Sequence, residues 1–226
     1  MAKDNKKYYI FEMNMTIINI LSLILLAICM AASFIIAPKT ADLKNINLVI
    51  LLVFYVGYMF LHELLHSLGY VLNKAPFKKI VYGAYLEKGV LYCLCKQNIS
   101  KRNICISILF PFTFIGVITY IIAIFYNLPT LLYLSILNIS GCSGDLIMFF
   151  YLLKLNKDIE FTEFDNPIQF AIHSSEDVSK ISHFGLNYIE STASVPRNDL
   201  KKFHVSKASI IIALVFLTFL FLNLII

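Results

Sequence analysis

The run His62-Glu63-Leu64-Leu65-His66 sets two imidazoles four residues apart, with a carboxylate directly after the first. On a helix, residues four apart share a face, so both rings can reach one metal ion while Glu63 stands beside it as a general base. This is the pattern of zinc metallopeptidases. With 5 His and seven Glu in 226 residues, a chance match is expected roughly 0.003 times per chain, so composition does not explain it. The competing readings are a polar helix-packing cluster and a proton relay in a carrier.

A catalytic zinc ion typically takes three protein ligands and leaves a fourth position open. One further ionisable residue, Asp145, lies deep in an apolar stretch. If the stretches carrying the motif and Asp145 both cross a membrane in the same direction, His62 lies sixteen residues past Ile46 and Asp145 sixteen past Pro129. At about 1.5 Å per residue the two depths match. The small residues Ser140-Gly141-Cys142-Ser143-Gly144 are of the kind that lets membrane helices approach closely. Asn138 falls on the same helical face as Asp145, where it binds a substrate backbone or orients the site; a plain interhelical bond is the bland alternative. Asp145 itself has an alternative role, as an outer carboxylate holding a histidine ring. A different third ligand would have to come from Glu160, Glu163, Glu176 or Glu190, all in a later polar segment, where His173, His183 and His204 read as surface residues.

These residues need a scaffold, and composition indicates which. At 59% hydrophobic and 15% charged, with a mean hydropathy of +0.76, the chain is too apolar for a soluble domain of its length. The expected fold is an all-α polytopic membrane protein, with about five transmembrane helices and a small β-hairpin on the cytoplasmic side. Residues 1–14 form a cytoplasmic N-terminal segment, 15–153 a membrane metalloprotease core of four spans, 154–207 a cytoplasmic polar segment and 208–226 a C-terminal transmembrane helix. The four spans are Met15–Ala37, Ile46–Leu72, Ile104–Tyr126 with a kink at Pro111, and Pro129–Leu153. The first is longer than the apolar core of a cleaved signal peptide and reads as retained. Within the basic segment 73–103, Ile80 to Leu86 and Val90 to Cys95 read as strands joined by a turn at Glu87-Lys88-Gly89. That hairpin either holds an extended substrate by strand addition or is an interfacial loop.

Placing the N-terminus in the cytoplasm puts 17 of the 19 basic residues inside and leaves only Lys39 and Lys44 outside. The expected location is the cell membrane, with a multi-pass chain and the lipid bilayer as solvent. Net charge +5 follows from this bias and gives no reason to expect nucleic acid as a partner. Cys93-Leu94-Cys95 has one intervening residue where zinc knuckles have two to four, so it reads as hairpin packing.

A span bearing HExxH, a basic segment with a hairpin and a later span with an Asp after small residues resemble the site-2-protease class of intramembrane zinc proteases. More closely, the chain resembles a bacterial family of zincin-like peptidases whose function is unassigned. The resemblance covers roughly Leu48 to Ile172 and rests on His62-Glu63-Leu64-Leu65-His66, Phe110-Pro111-Phe112, Ser143-Gly144-Asp145 and Phe164-Asp165-Asn166-Pro167. It implies a Zn2+ cofactor on His62, His66 and Asp145, Glu63 as the base, and a membrane-protein substrate whose peptide bonds are hydrolysed. The rival classes are a metal- or proton-coupled carrier, which would tend to show inverted repeats, and an inactive membrane scaffold.

Overall fold

In the computed structural model, which describes residues 6–85, 90–164, 166 and 168–193, three helical runs are long and apolar enough to cross a membrane. They are α1 (Met15–Ile36), α2 (Leu48–Leu72) and the run Lys101–Phe125. The last consists of α3 (Lys101–Pro111), a wide π-helical stretch (Phe112–Ile118) and α4 (Thr119–Phe125). Side chains cap the first two: Asn14 Oδ1 accepts from the Ile17 N–H, and Asn47 Oδ1 from those of Val49 and Ile50. Each cap satisfies donors that a helix start leaves open, which matters most where water is scarce. Beyond them, α5 (Pro129–Gly141) and α6 (Ser143–Lys154) meet at a 47° bend.

The chain divides into two compact units. Among the described residues, one comprises Asn19–Leu65 and Phe110–Ser143. Its core joins Phe54 and Tyr58 of α2 to Leu131, Leu132, Leu134 and Ile136 of α5. Buried hydroxyls there pair with one another, Ser33 with Tyr120 and Thr119 with Ser135, each at 2.8 Å. In an apolar setting such pairs keep polar groups from being stranded.

The other unit comprises Met1–Ile18, His66–Leu109 and Gly144–His204, and it contains a sheet. Its strands are β1 (Lys7–Met13), β4 (Ile99–Ser100), β5 (Glu160–Glu163), β6 (Gln169–Ser174) and β7 (Leu186–Thr192), in the order β4-β5-β6-β1-β7 with all neighbours antiparallel. Phe11 of β1, Phe161 of β5 and Phe170 of β6 are its buried centre, with Phe170 stacked between the other two rings at 5.8 and 5.2 Å. Tyr151 of α6 lies against Phe11 at 5.1 Å, and its hydroxyl donates to the Val178 carbonyl. The Lys101 ammonium, at the start of α3, donates to the Leu153 carbonyl near the end of α6. The C-terminal end of α6 is thereby referenced to neighbouring elements of the unit.

Strands β2 (Ile80–Tyr85) and β3 (Val90–Cys95) form the antiparallel hairpin read from the sequence, with Ile80 opposite Cys95. The expected turn at Glu87-Lys88-Gly89 lies outside the described residues. Glu163 ties the hairpin down, accepting from the Cys95 N–H at 2.6 Å and from the Tyr70 hydroxyl at 3.0 Å. Cys93 and Cys95 are packed inside and not joined in a disulfide. Burial first, and then the Glu163 charge, push the Cys95 thiol up to about 12.

The structure overturns the all-α expectation: the fold is mixed α/β. The N-terminal segment is a central strand, and much of the polar segment after Lys154 is the rest of its sheet. The reason is physical. Tyr9, Ile10 and Phe11 are buried in succession, while residues 187 to 191 of β7 are exposed in succession, so neither strand shows the alternation that marks one from sequence. The partners are also remote, Tyr9 facing Ile172. About five transmembrane helices are likewise replaced, among the described residues, by three, or four if the bent pair α5–α6 counts as one. The span expected at 208–226 lies outside the described residues.

If β1 is structural, truncating its central ring is costly. Phe11→Ala is expected to lower the stability of the purified protein by about 3–5 kcal/mol in denaturant unfolding, with Lys7→Ala, on an exposed side chain, near zero. Equal, small effects from both would show that β1 is not part of the core.

Candidate metal centre

His62 and His66 stand one turn apart on the uninterrupted helix α2, with Glu63 beside them and half-buried. His66 is buried, and its ring is held at both nitrogens. Nδ1 lies 3.0 Å from the Ser107 carbonyl oxygen, and Nε2 lies 3.5 Å from Asp145 Oδ2. A carbonyl can only accept, so Nδ1 carries the hydrogen and donates. In the neutral ring, Nε2 then presents a lone pair toward a carboxylate oxygen. Two such acceptors face each other stably only with a cation between them, either a proton on the ring or a metal ion. The separation is near the roughly 3.3–3.4 Å expected between ligands of a tetrahedral zinc with bonds of about 2.0–2.1 Å.

The His62 ring is set the same way. Its Nδ1 lies 3.1 Å from Asn138 Oδ1, while Asn138 Nδ2 donates to the Pro111 carbonyl at 3.1 Å. The second bond fixes which way the amide points. Oδ1 therefore accepts from His62 Nδ1–H, and Nε2 keeps its lone pair. Outer partners of this kind commonly orient histidine ligands. Of the readings of Asn138, the bond to the Pro111 carbonyl is the interhelical one, and the contact with the His62 ring is the kind that would orient the site. Cys142 Sγ sits 4.0 Å from His62 Nδ1, on the nitrogen already engaged, so it stands behind the ring.

The helix α2 sets the spacing of His62 and His66, and the sheet-bearing unit sets Asp145 against His66. Asp145 Oδ2 thus stands 3.5 Å from His66 Nε2, and His62 lies one turn away from His66 on α2. Two imidazole nitrogens and one carboxylate oxygen suit zinc. Asp145 lies in the first turn of α6, where the exposed N–H groups of a helix start favour a carboxylate.

The means of close approach differs from the expectation. At Gly141 an added Cβ would meet nothing within 4 Å, and at Gly144 only Met13 and Ile18 at 3.7 and 3.8 Å. The small-residue run thus coincides with the bend between α5 and α6, and its two glycines make no close backbone contact. The close contact is at Gly69, where a Cβ would stand 2.6 Å from Ser107 Cα. Gly69 lets α2 and α3 touch where His66 reaches the Ser107 carbonyl. Neither residue stood out from sequence, although a glycine three residues after a ligating histidine, on nearly the same face, was a usable cue.

The alternative carboxylates are engaged elsewhere or exposed. Glu160 accepts from Asn98 at 2.8 Å and faces His173 at 3.2 Å. The Asn98 bond, helped by His173, holds its carboxyl below the usual range. Glu163 holds the hairpin, Glu176 lies in an exposed turn and Glu190 on exposed β7. His173 stacks on Tyr8, His183 faces the Ile181 carbonyl, and His204 lies outside the described residues, as do Asp165 and Pro167 of the last motif.

No curated protein and no solved structure matches the chain. Residues 55–159, a little under half of it, match the family described as "Putative zincin peptidase", and they contain His62, Glu63, His66, Asn138 and Asp145. Over that stretch the protein is similar to zincin metallopeptidases, a class that uses zinc.

Proposed function

We propose that the protein is a zinc-dependent endopeptidase of the membrane, hydrolysing peptide bonds of membrane proteins, with His62, His66 and Asp145 as metal ligands and Glu63 as the catalytic base. The observation that carries this reading is the pair of facing acceptors, His66 Nε2 and Asp145 Oδ2 at 3.5 Å, with His62 one turn away. When bound, zinc supplies a polarised scissile carbonyl and a water of lowered pKa. Glu63 takes the proton of the attacking water as the new C–O bond forms and then hands it to the leaving amine nitrogen, whereupon the C–N bond breaks. The Ser107 carbonyl and the Asn138 amide hold both rings with their Nε2 atoms available throughout. An extended substrate segment fits the outer edge of β2, because the Cys95 N–H on β3 is already taken by Glu163.

The same reading places the chain in the cell membrane. Because β1, β4, β5, β6 and β7 share one sheet, residues 7–13, 99–100, 160–163, 169–174 and 186–192 lie on one side of any bilayer the helices cross. Then α1 and α2 go out and back, Lys101–Phe125 goes out again, and the bent pair α5–α6 returns the chain. The basic bias makes the shared side cytoplasmic.

Two experiments test these statements. Glu63→Gln is expected to retain about one zinc and to lose on the order of 10²–10⁴-fold in peptide hydrolysis, whereas His62→Ala and His66→Ala lose the metal; wild-type hydrolysis by Glu63→Gln removes Glu63 from the mechanism. For sidedness, a cysteine placed at Lys44 should react with an impermeant maleimide in intact cells, and one at Lys180 should not. Labelling of position 180 from outside would contradict the arrangement.

A further inference from the structure

Proline in a helix interior has no N–H to give to the carbonyl four residues before it. In α3 that carbonyl belongs to Ser107, and it is the one that accepts from His66 Nδ1. Immediately after Pro111 the chain winds as the π-helical stretch Phe112–Ile118. Such stretches offer backbone groups in positions that a regular helix does not. The Pro111 carbonyl accepts from Asn138 Nδ2, and Asn138 Oδ1 in turn faces His62 Nδ1. Gly116, within that stretch, keeps room for the amide: a Cβ there would stand 3.0 Å from Ile139 Cγ1 and 3.4 Å from Asn138 Nδ2.

We infer that Pro111 is the positioning residue for both histidines: its missing N–H leaves the Ser107 carbonyl for His66, and its own carbonyl fixes the Asn138 amide that orients His62. Both rings are thus held as the Nδ1–H tautomer with Nε2 available, by one backbone irregularity that touches neither ring directly. The alternative is that Pro111 merely bends the helix. The two differ in sign, since replacing an interior proline normally strengthens a helix, whereas here it would supply an N–H that competes with His66 for the Ser107 carbonyl. The inference rests on the zinc-site reading for its consequence in metal affinity, but its statement about the rings holds without metal.

The test uses the full-length protein in detergent with histidine labelled by 15N. In the wild type, with or without metal, Nδ1 of both His62 and His66 is expected to carry a hydrogen, because each faces an oxygen that accepts. Pro111→Ala is expected to melt no lower than wild type, to lose the uniform Nδ1–H signal of His66, and to bind zinc about 10–100-fold more weakly in competition with a chelating dye. An Nε2–H tautomer at His66 in the wild type would overturn the inference with no variant needed. So would a folded Pro111→Ala protein with wild-type zinc affinity and unchanged ring signals, a result that leaves the zinc site standing. Conversely, a wild type that binds no zinc, yet shows the ring change in Pro111→Ala, supports the role of Pro111 and removes the peptidase reading.

Discussion

Everything at the centre depends on one ring with an acceptor at each of its two nitrogens. His66 donates through Nδ1 to the Ser107 carbonyl, and this leaves Nε2 facing the Asp145 carboxylate. A backbone carbonyl cannot donate, so the first contact dictates the chemistry of the second. A buried acceptor pair of that kind is costly without a cation. The pair therefore calls for a positive charge between the two atoms, which a metal ion or a proton can supply.

Holding that ring takes more of the chain than the motif itself. Gly69 allows α3 to touch α2, which puts a carbonyl within reach of a side chain one turn earlier. Asp145 owes its place to α6, which is tied to the sheet through Tyr151 on Phe11 and to the start of α3 through Lys101 on the Leu153 carbonyl. Apolar helices in a bilayer gain little from burying greasy faces against one another, since lipid is equally apolar. A packed sheet is a firmer reference, and here it draws on both early and late parts of the chain.

What could be read from residues alone was local chemistry and long-range composition. The spacing of His62, Glu63 and His66, the isolation of Asp145, the hairpin from Ile80 to Cys95 and the apolar lengths of α1, α2 and Lys101–Phe125 all announce themselves within a few turns of chain. The five-stranded sheet does not. β1 lacks alternation because consecutive residues are buried between β6 and β7, and its partners lie more than 150 residues away. The bend at Cys142 was hidden as well, because small residues signal close packing and a break equally. Ser107 was illegible for a different reason: its contribution is a backbone carbonyl, which every residue owns.

The most direct measurement is zinc-edge X-ray absorption on the purified full-length protein loaded with one equivalent of zinc. The expected first shell holds two imidazole nitrogens and carboxylate oxygen at about 2.0–2.2 Å, with no sulfur, since Cys142 stands behind His62. A sulfur ligand at about 2.3 Å, or a shell with fewer than two imidazoles, would contradict the assignment of His62, His66 and Asp145.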